Sequence, residues 1–180
     1  LIAHAKELGM KSIAITDHGT MYGTIAFYKE ALKEGIKPII GCEVYVAPKS
    51  RFDNFEVEGT RYYHLILLAE NNKGYQNLIK LVSLANIEGM YYKPRVDKEL
   101  LRQYHEGIIA SSACLAGEVA RDVLTLSYDH AKEAALEYEE IFGKGNFFLE
   151  LQNHGMAEQK RVNEALIRMS KETGIPLIAT

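Results

Sequence analysis

At 180 residues the chain is long enough for one domain with a sizeable buried core. A hydrophobic share of 47% and a charged share of 25% are those of a soluble globular protein, and no apolar run approaches the roughly eighteen residues of a membrane span. The net charge of −3 argues against a domain that holds nucleic acid by bulk electrostatics, so any such role falls to a local site or to further parts of a longer protein.

Two cysteines, Cys42 and Cys114, make no disulfide framework, and no basic segment followed by an apolar one opens the chain. A reducing cytoplasm is the expected location. The chain begins inside an amphipathic pattern at Leu1-Ile2-Ala3-His4 and stops at Thr180 directly after an apolar run. Both ends read as cuts, and residues 1–180 as a single partial domain of something longer.

In chain order, the periodicity predicts a helix closed by Gly9 at its C′ position, then a buried strand over Lys11–Thr16. A helix over 23–34 is stopped by Gly35, and a strand follows over 38–46. Residues 47–61 are polar and charged and read as a loop or hairpin excursion. Tyr62–Ala69 reads as a strand, and 74–88 as a helix with Leu78, Leu81, Val82 and Ala85 on one face. Asp97 has the place of an N-cap for a helix through Tyr104, ahead of a strand over 107–112. Helices over 118–124 and 128–142, a strand over 147–152, a helix over 157–172 closed by Gly174 and a strand over 176–179 complete the chain. Strands alternating with long helices imply βαβ units and a parallel sheet. Strict alternation favours a barrel, with an open doubly wound sheet as the alternative.

In such folds, binding and catalysis collect at the carboxyl ends of the strands. The unusual polar residues fall there: Thr16-Asp17-His18-Gly19 after the first strand, Glu43 within the second, His64 in the third, Ser111-Ser112-Ala113-Cys114 after the fourth, and Glu150-Leu151-Gln152-Asn153-His154 after the fifth. Each has a plainer reading. A lone histidine in an apolar strand is commonly a hydrogen-bonded core residue, Cys114 alone a small buried side chain, and Asp17-His18-Gly19 a turn and helix cap. Glu43 is harder to explain away, because a carboxylate in an apolar strand is costly unless paired or coordinating. His4, His105 and His130 lie among charged neighbours and read as solvated surface. Imidazole, carboxylate and thiolate converging on one face would suit zinc, with manganese or iron as alternatives.

The stretches Thr16–Gly19, Gly35–Tyr45 and Tyr63–Ala69, together with Asn72–Leu78, Tyr91–Asp97 and Phe148–Gly155, resemble the PHP domains of bacterial DNA polymerase III alpha subunits. The resemblance covers nearly the whole chain. It implies an α/β fold, a distorted seven-stranded (β/α) barrel lacking its N-terminal and C-terminal ends. It also implies divalent metal ions, zinc first and manganese second, held by His18, Glu43, His64 and Cys114, with Asp17 orienting His18 or accepting a proton. The family's His-x-His and Asp-x-His ligand pairs would fall before Leu1 and after Thr180.

The implied activity is template-directed DNA synthesis for the parent, with metal-dependent phosphodiester hydrolysis of a 3′–5′ exonuclease kind in this domain. Lys93 and Arg95 would contact phosphate at the rim, or form a solvated basic loop. The implied partners are DNA, through the parent polymerase, and other holoenzyme subunits, including a proofreading subunit; no membrane is implied. The rival readings are a silent scaffold that docks the proofreading subunit and a free-standing phosphatase acting on a small phosphomonoester.

Overall fold

Short β-branched runs and longer amphipathic runs become eight strands and seven helices in the computed structural model, which describes Leu1–Thr180. The strands are β1 (Ser12–Ile15), β2 (Lys37–Val46), β3 (Tyr63–Ala69), β4 (Met90–Tyr91), β5 (Lys93–Val96), β6 (Ile108–Ser111), β7 (Phe147–Leu151) and β8 (Leu177–Ala179). The helices are α1 (Ile2–Glu7), α2 (Thr24–Glu34), α3 (Asn72–Glu88), α4 (Lys98–Gln103), α5 (Glu118–Thr125), α6 (Tyr128–Phe142) and α7 (Ala157–Thr173). Their ends are set locally. Asn71, Asp97 and Ser127 each accept a hydrogen bond from the amide three residues on, which satisfies a backbone donor that the first turn leaves free. Gly35 ends α2 at φ +74°, a left-handed conformation costly for any residue with a Cβ.

The sheet runs β4-β5-β2-β3-β6-β7-β8, and β1 joins it through β2. Because β2 is ten residues long, one of its edges carries two strands in succession. Ser12–Ile15 pair with Lys37–Ile40, and higher up Arg95 and Val96 pair with Tyr45 and Val46. Its other edge pairs with β3, Gly41 to Leu68 through Val46 to Tyr63.

The sequence pattern implied a parallel sheet, and here the structure corrects it. β3 runs antiparallel to both β2 and β6, whereas β1–β2, β2–β5, β6–β7 and β7–β8 are parallel. The reason lies in the connection. Residues 47–62 contain no helix, and without a crossover to carry the chain back to the starting end, the next strand must return in the opposite sense. The short β4–β5 ribbon, turning on Tyr92, is likewise antiparallel and too brief to read from periodicity.

One face of β2 and β3 carries Cys42, Val44, Leu65 and Leu67, which join Leu78 and Leu81 of α3, Val119 of α5, Tyr138 of α6 and Val162 and Leu166 of α7 in the main core. Each fully buried leucine there contributes roughly 1.5–3 kcal/mol. A second, smaller cluster of Ile2, Ala5, Phe27, Ala31 and Ile36 seats α1 and α2 against β1. The opposite face of β2 and β3 presents Glu43, Tyr45, His64 and Ile66. That face holds the polar residues for which the core has no place.

Candidate metal centre

Backbone pairing explains why the four candidate ligands meet. Beyond β1 the chain stays beside β2: Glu43 donates its amide to the Asp17 carbonyl at 3.0 Å, and Gly19 donates to the Glu43 carbonyl at 2.9 Å. His18 is thereby carried alongside Glu43. His64 is the second residue of β3, and because β3 is inverted its amino end lies where the carboxyl end of β2 and of β6 lies. Cys114 comes from the turn after β6. In that turn Ala113 has φ +58°, and a Cβ on Gly117 would stand 2.1 Å from the Ser112 carbonyl oxygen. The strained backbone at Ala113 and the close approach at Gly117 turn the thiol back toward His64, whose amide bonds the Ala116 carbonyl.

Glu43 is the hub. Its Oε1 lies 2.9 Å from His18 Nδ1 and 2.9 Å from His64 Nδ1, and Cys114 Sγ lies 3.5 Å from His64 Nδ1. Burial alone would raise the Glu43 pKa, but the hydrogen bonds and charge of His64 and His18 outweigh it and hold the carboxylate below its usual range. His64 is raised to about 9, first by its contact with Cys114 and then by Glu43. Burial works against ionisation of Cys114, yet the His64 contact carries the balance and lowers it. Cys42 is a different cysteine: fully buried, raised to about 12 by desolvation, with its thiol on the Asp17 carbonyl.

Asp17 makes no side-chain bond to His18. Its carboxylate turns toward Gly23 at the start of α2, where an added Cβ would stand 3.0 Å from Oδ2. Glu43 takes the orienting position that the sequence reading gave to Asp17. His4, His105 and His130 are exposed, in line with that reading. Arg95 is neither a rim phosphate contact nor part of a solvated loop: it is fully buried, and its guanidinium donates to the carbonyls of Gly89, Arg61, Arg51 and Asp53. Lys93 is exposed beside the site, over the Tyr45 ring.

Glu150, named among the polar residues at strand ends, received no role from the sequence. It is buried at the end of β7, and its carboxylate accepts from the Ser111 hydroxyl at 2.5 Å, Thr180 at 2.7 Å and Gln152 at 2.9 Å. The argument from the cost of a carboxylate in an apolar strand applies to it as it did to Glu43.

As the side chains stand, no three of His, Cys, Asp and Glu are disposed to hold one ion together, the near edges of the imidazoles being turned onto Glu43. The donor set nevertheless fits a divalent metal. His18 Nε2, His64 Nε2 and Glu43 Oε2 have no protein partner, so each residue keeps a free donor atom. Imidazole, carboxylate and thiolate are the ligands zinc takes.

A family model described as PHP domain matches residues 1–154. The chain belongs to the PHP domain family. DNA polymerase III subunit alpha of Treponema pallidum is 52% identical to it over all of this PHP domain but only 16% of that protein's length. The same-named protein of Borreliella burgdorferi is 49% identical over 99% of the domain and 16% of its own length. The chain thus spans about a sixth of these curated relatives. Among solved structures, a protein described as a metal-dependent phosphoesterase from Bifidobacterium adolescentis superposes with a TM-score of 0.62 at 13% identity, over 99% of this chain and 79% of that one. An amidohydrolase from Chromobacterium violaceum gives 0.57 at 12%, over 98% and 78%. These neighbours share the curled α/β sheet of the PHP fold. No helix is long and apolar enough to cross a membrane.

Proposed function

We propose that this PHP domain is the metal-dependent phosphoester-hydrolysing unit of a replicative DNA polymerase III alpha subunit and trims nucleotides from a 3′ terminus. The observation that carries the reading is the Glu43 hub: two imidazoles and a thiol gathered on one carboxylate, with three donor atoms left free at the open end of the sheet. His18, Glu43, His64 and Cys114 would hold zinc or, failing that, manganese. A bound divalent ion supplies positive charge for the phosphoryl oxygens and lowers the pKa of attacking water. The residues themselves fix its position, and Glu43 holds both imidazole rings in register through their Nδ1 atoms. DNA and the other holoenzyme subunits, a proofreading subunit among them, would reach the domain through the rest of the polymerase, in the cytoplasm.

The test is made in the full-length protein with His18→Ala, His64→Ala and Glu43→Gln. Degradation of a mismatched primer terminus is measured beside dNTP incorporation, and bound metal by elemental analysis. Loss of degradation and of metal with incorporation retained is the expected result. Equal degradation by wild type and all three variants would sink the hydrolytic reading.

A second reading has its own support. Through Nδ1, Oε1 and Sγ the four side chains bond one another and tie β2, β3, the segment after β1 and the turn after β6 together. On that reading the domain is a brace within the polymerase, and the variants lose thermal stability and incorporation in step.

A further inference from the structure

Next to the Glu43 hub lie two groups of rings and cations, joined through the backbone at 61–62 and 92–93, to which the hydrolytic step assigns nothing. The Tyr62 ring stacks parallel to the His64 ring, centroids 6.0 Å apart and planes 11° apart. Tyr45 packs edge-on against both, at 4.9 Å from Tyr62 and 5.3 Å from His64. Lys93 Nζ stands 5.6 Å over the Tyr45 ring and has no carboxylate within salt-bridge distance. One residue back, Tyr92 is 67% exposed, and the Arg61 guanidinium lies over its ring at 4.1 Å. Arg61 is also bonded to Glu56 at 2.6 Å, so Lys93 is the one unpaired cation of the two groups.

Tyr92 is the unusual member. Its backbone has φ +61°, where a bulky residue costs roughly 1–2 kcal/mol, and its ring buries little in return. The tight β4–β5 turn sets that φ but does not call for a large aromatic; a tyrosine held mostly in solvent at such a strained position points to a use outside the fold. Flat rings interleaved with cations are how proteins hold single strands without reading sequence, since every base has a face to stack.

We propose that this track binds the single-stranded end of a nucleic acid, with bases on Tyr92 and Tyr62 and a phosphate at Lys93. It rests on the hydrolytic reading only for where the strand is delivered, the Glu43 hub being the end of the track. The same track accounts for a domain of net charge −3 engaging a polyanion: the attraction is local and comes largely from stacking.

The experiment uses the full-length protein in EDTA, so that nothing is hydrolysed. A short oligothymidylate carrying 4-thiothymidine at its 3′ end is irradiated with the protein, and cross-linked peptides are mapped. Adducts should map to the peptides holding Tyr62 and Tyr92. Tyr92→Gly, which relieves the positive φ and so preserves the fold, should lower that yield roughly tenfold, while Tyr92→Phe keeps it. Lys93→Gln should reduce the salt slope of the same adduct by about 0.7. Adducts confined to other parts of the polymerase, or a yield unchanged in Tyr92→Gly, would overturn the proposal. So would cross-links from these tyrosines to another holoenzyme protein that an excess of oligonucleotide fails to displace. Adducts at the track in a protein that never degrades a primer, with metal supplied, would sink the hydrolytic reading and leave this one standing.

Discussion

Asp122 sits on α5 with its residue 6% exposed, and burial followed by repulsion from Glu118 pushes its carboxyl up to about 6 from an ordinary 3.8. A raised acid pKa means that the folded protein binds the proton more tightly than the unfolded chain. Stability therefore falls as pH rises from about 4 to about 6, and the cost stays in full above that. Asp122→Asn should raise the urea midpoint at pH 7–8 by the equivalent of about 1–3 kcal/mol and leave it unchanged near pH 4. A variant no more stable at neutral pH would show that Asp122 is held by compensating contacts. Single residues were legible in the sequence to an uneven degree. Glu43 stands out because a carboxylate is costly among apolar strand neighbours, whereas His64 and Cys114 gain weight only from their place at strand ends and from the family resemblance. Asp122 and Arg95 gave no such warning, since each is flanked by residues that read as helix surface or basic loop. The partner of His18 was misread for a related reason: Asp17 adjoins it in the chain, but the parallel bridge sets Glu43 across from it in space.

At the scale of elements, the excursion 47–62 is held down chiefly by Arg95. Arg95 donates to carbonyls on both of its legs, Arg51 and Asp53 on one and Arg61 on the other, and to Gly89 at the base. Arg51 adds a second tie, through Asp97 at 3.1 Å and Glu88 at 2.7 Å. Arg95→Met keeps the volume but leaves four carbonyls to find water. It should cost about 2–4 kcal/mol in total and raise amide exchange in residues 50–62 well ahead of β2. Uniform exchange across both would refute the tie. All seven helices and six of the strands followed from periodicity, capping residues and glycine stops. The direction of β3 did not. Alternation of strands with helices argues for parallel neighbours, and only the lack of a helix over 47–62 tells against it. That one reversal is what brings His64 to the site.

Over the whole molecule, the curled sheet was legible as a class, while the partnering of β2 with three strands was not, because register depends on contacts distant in sequence. Those distances have a kinetic side. The β2–β3 pair begins where Val46 meets Tyr63, whereas β6–β7 joins Ala110 to Phe147 and β7–β8 joins Leu149 to Leu177. Closing the longer loops costs more chain entropy before any contact repays it, so pairings close in sequence form first. The antiparallel pair should thus be present in the folding transition state and the parallel strands added later. Stopped-flow measurements should find that Val44→Ala acts mainly on the folding rate and Leu149→Ala mainly on the unfolding rate; the reverse would place the nucleus among β6, β7 and β8. Glu43 and His64 would then be neighbours before most of the chain has found its place, and His18 and Cys114 would be recruited to a half-built site during folding.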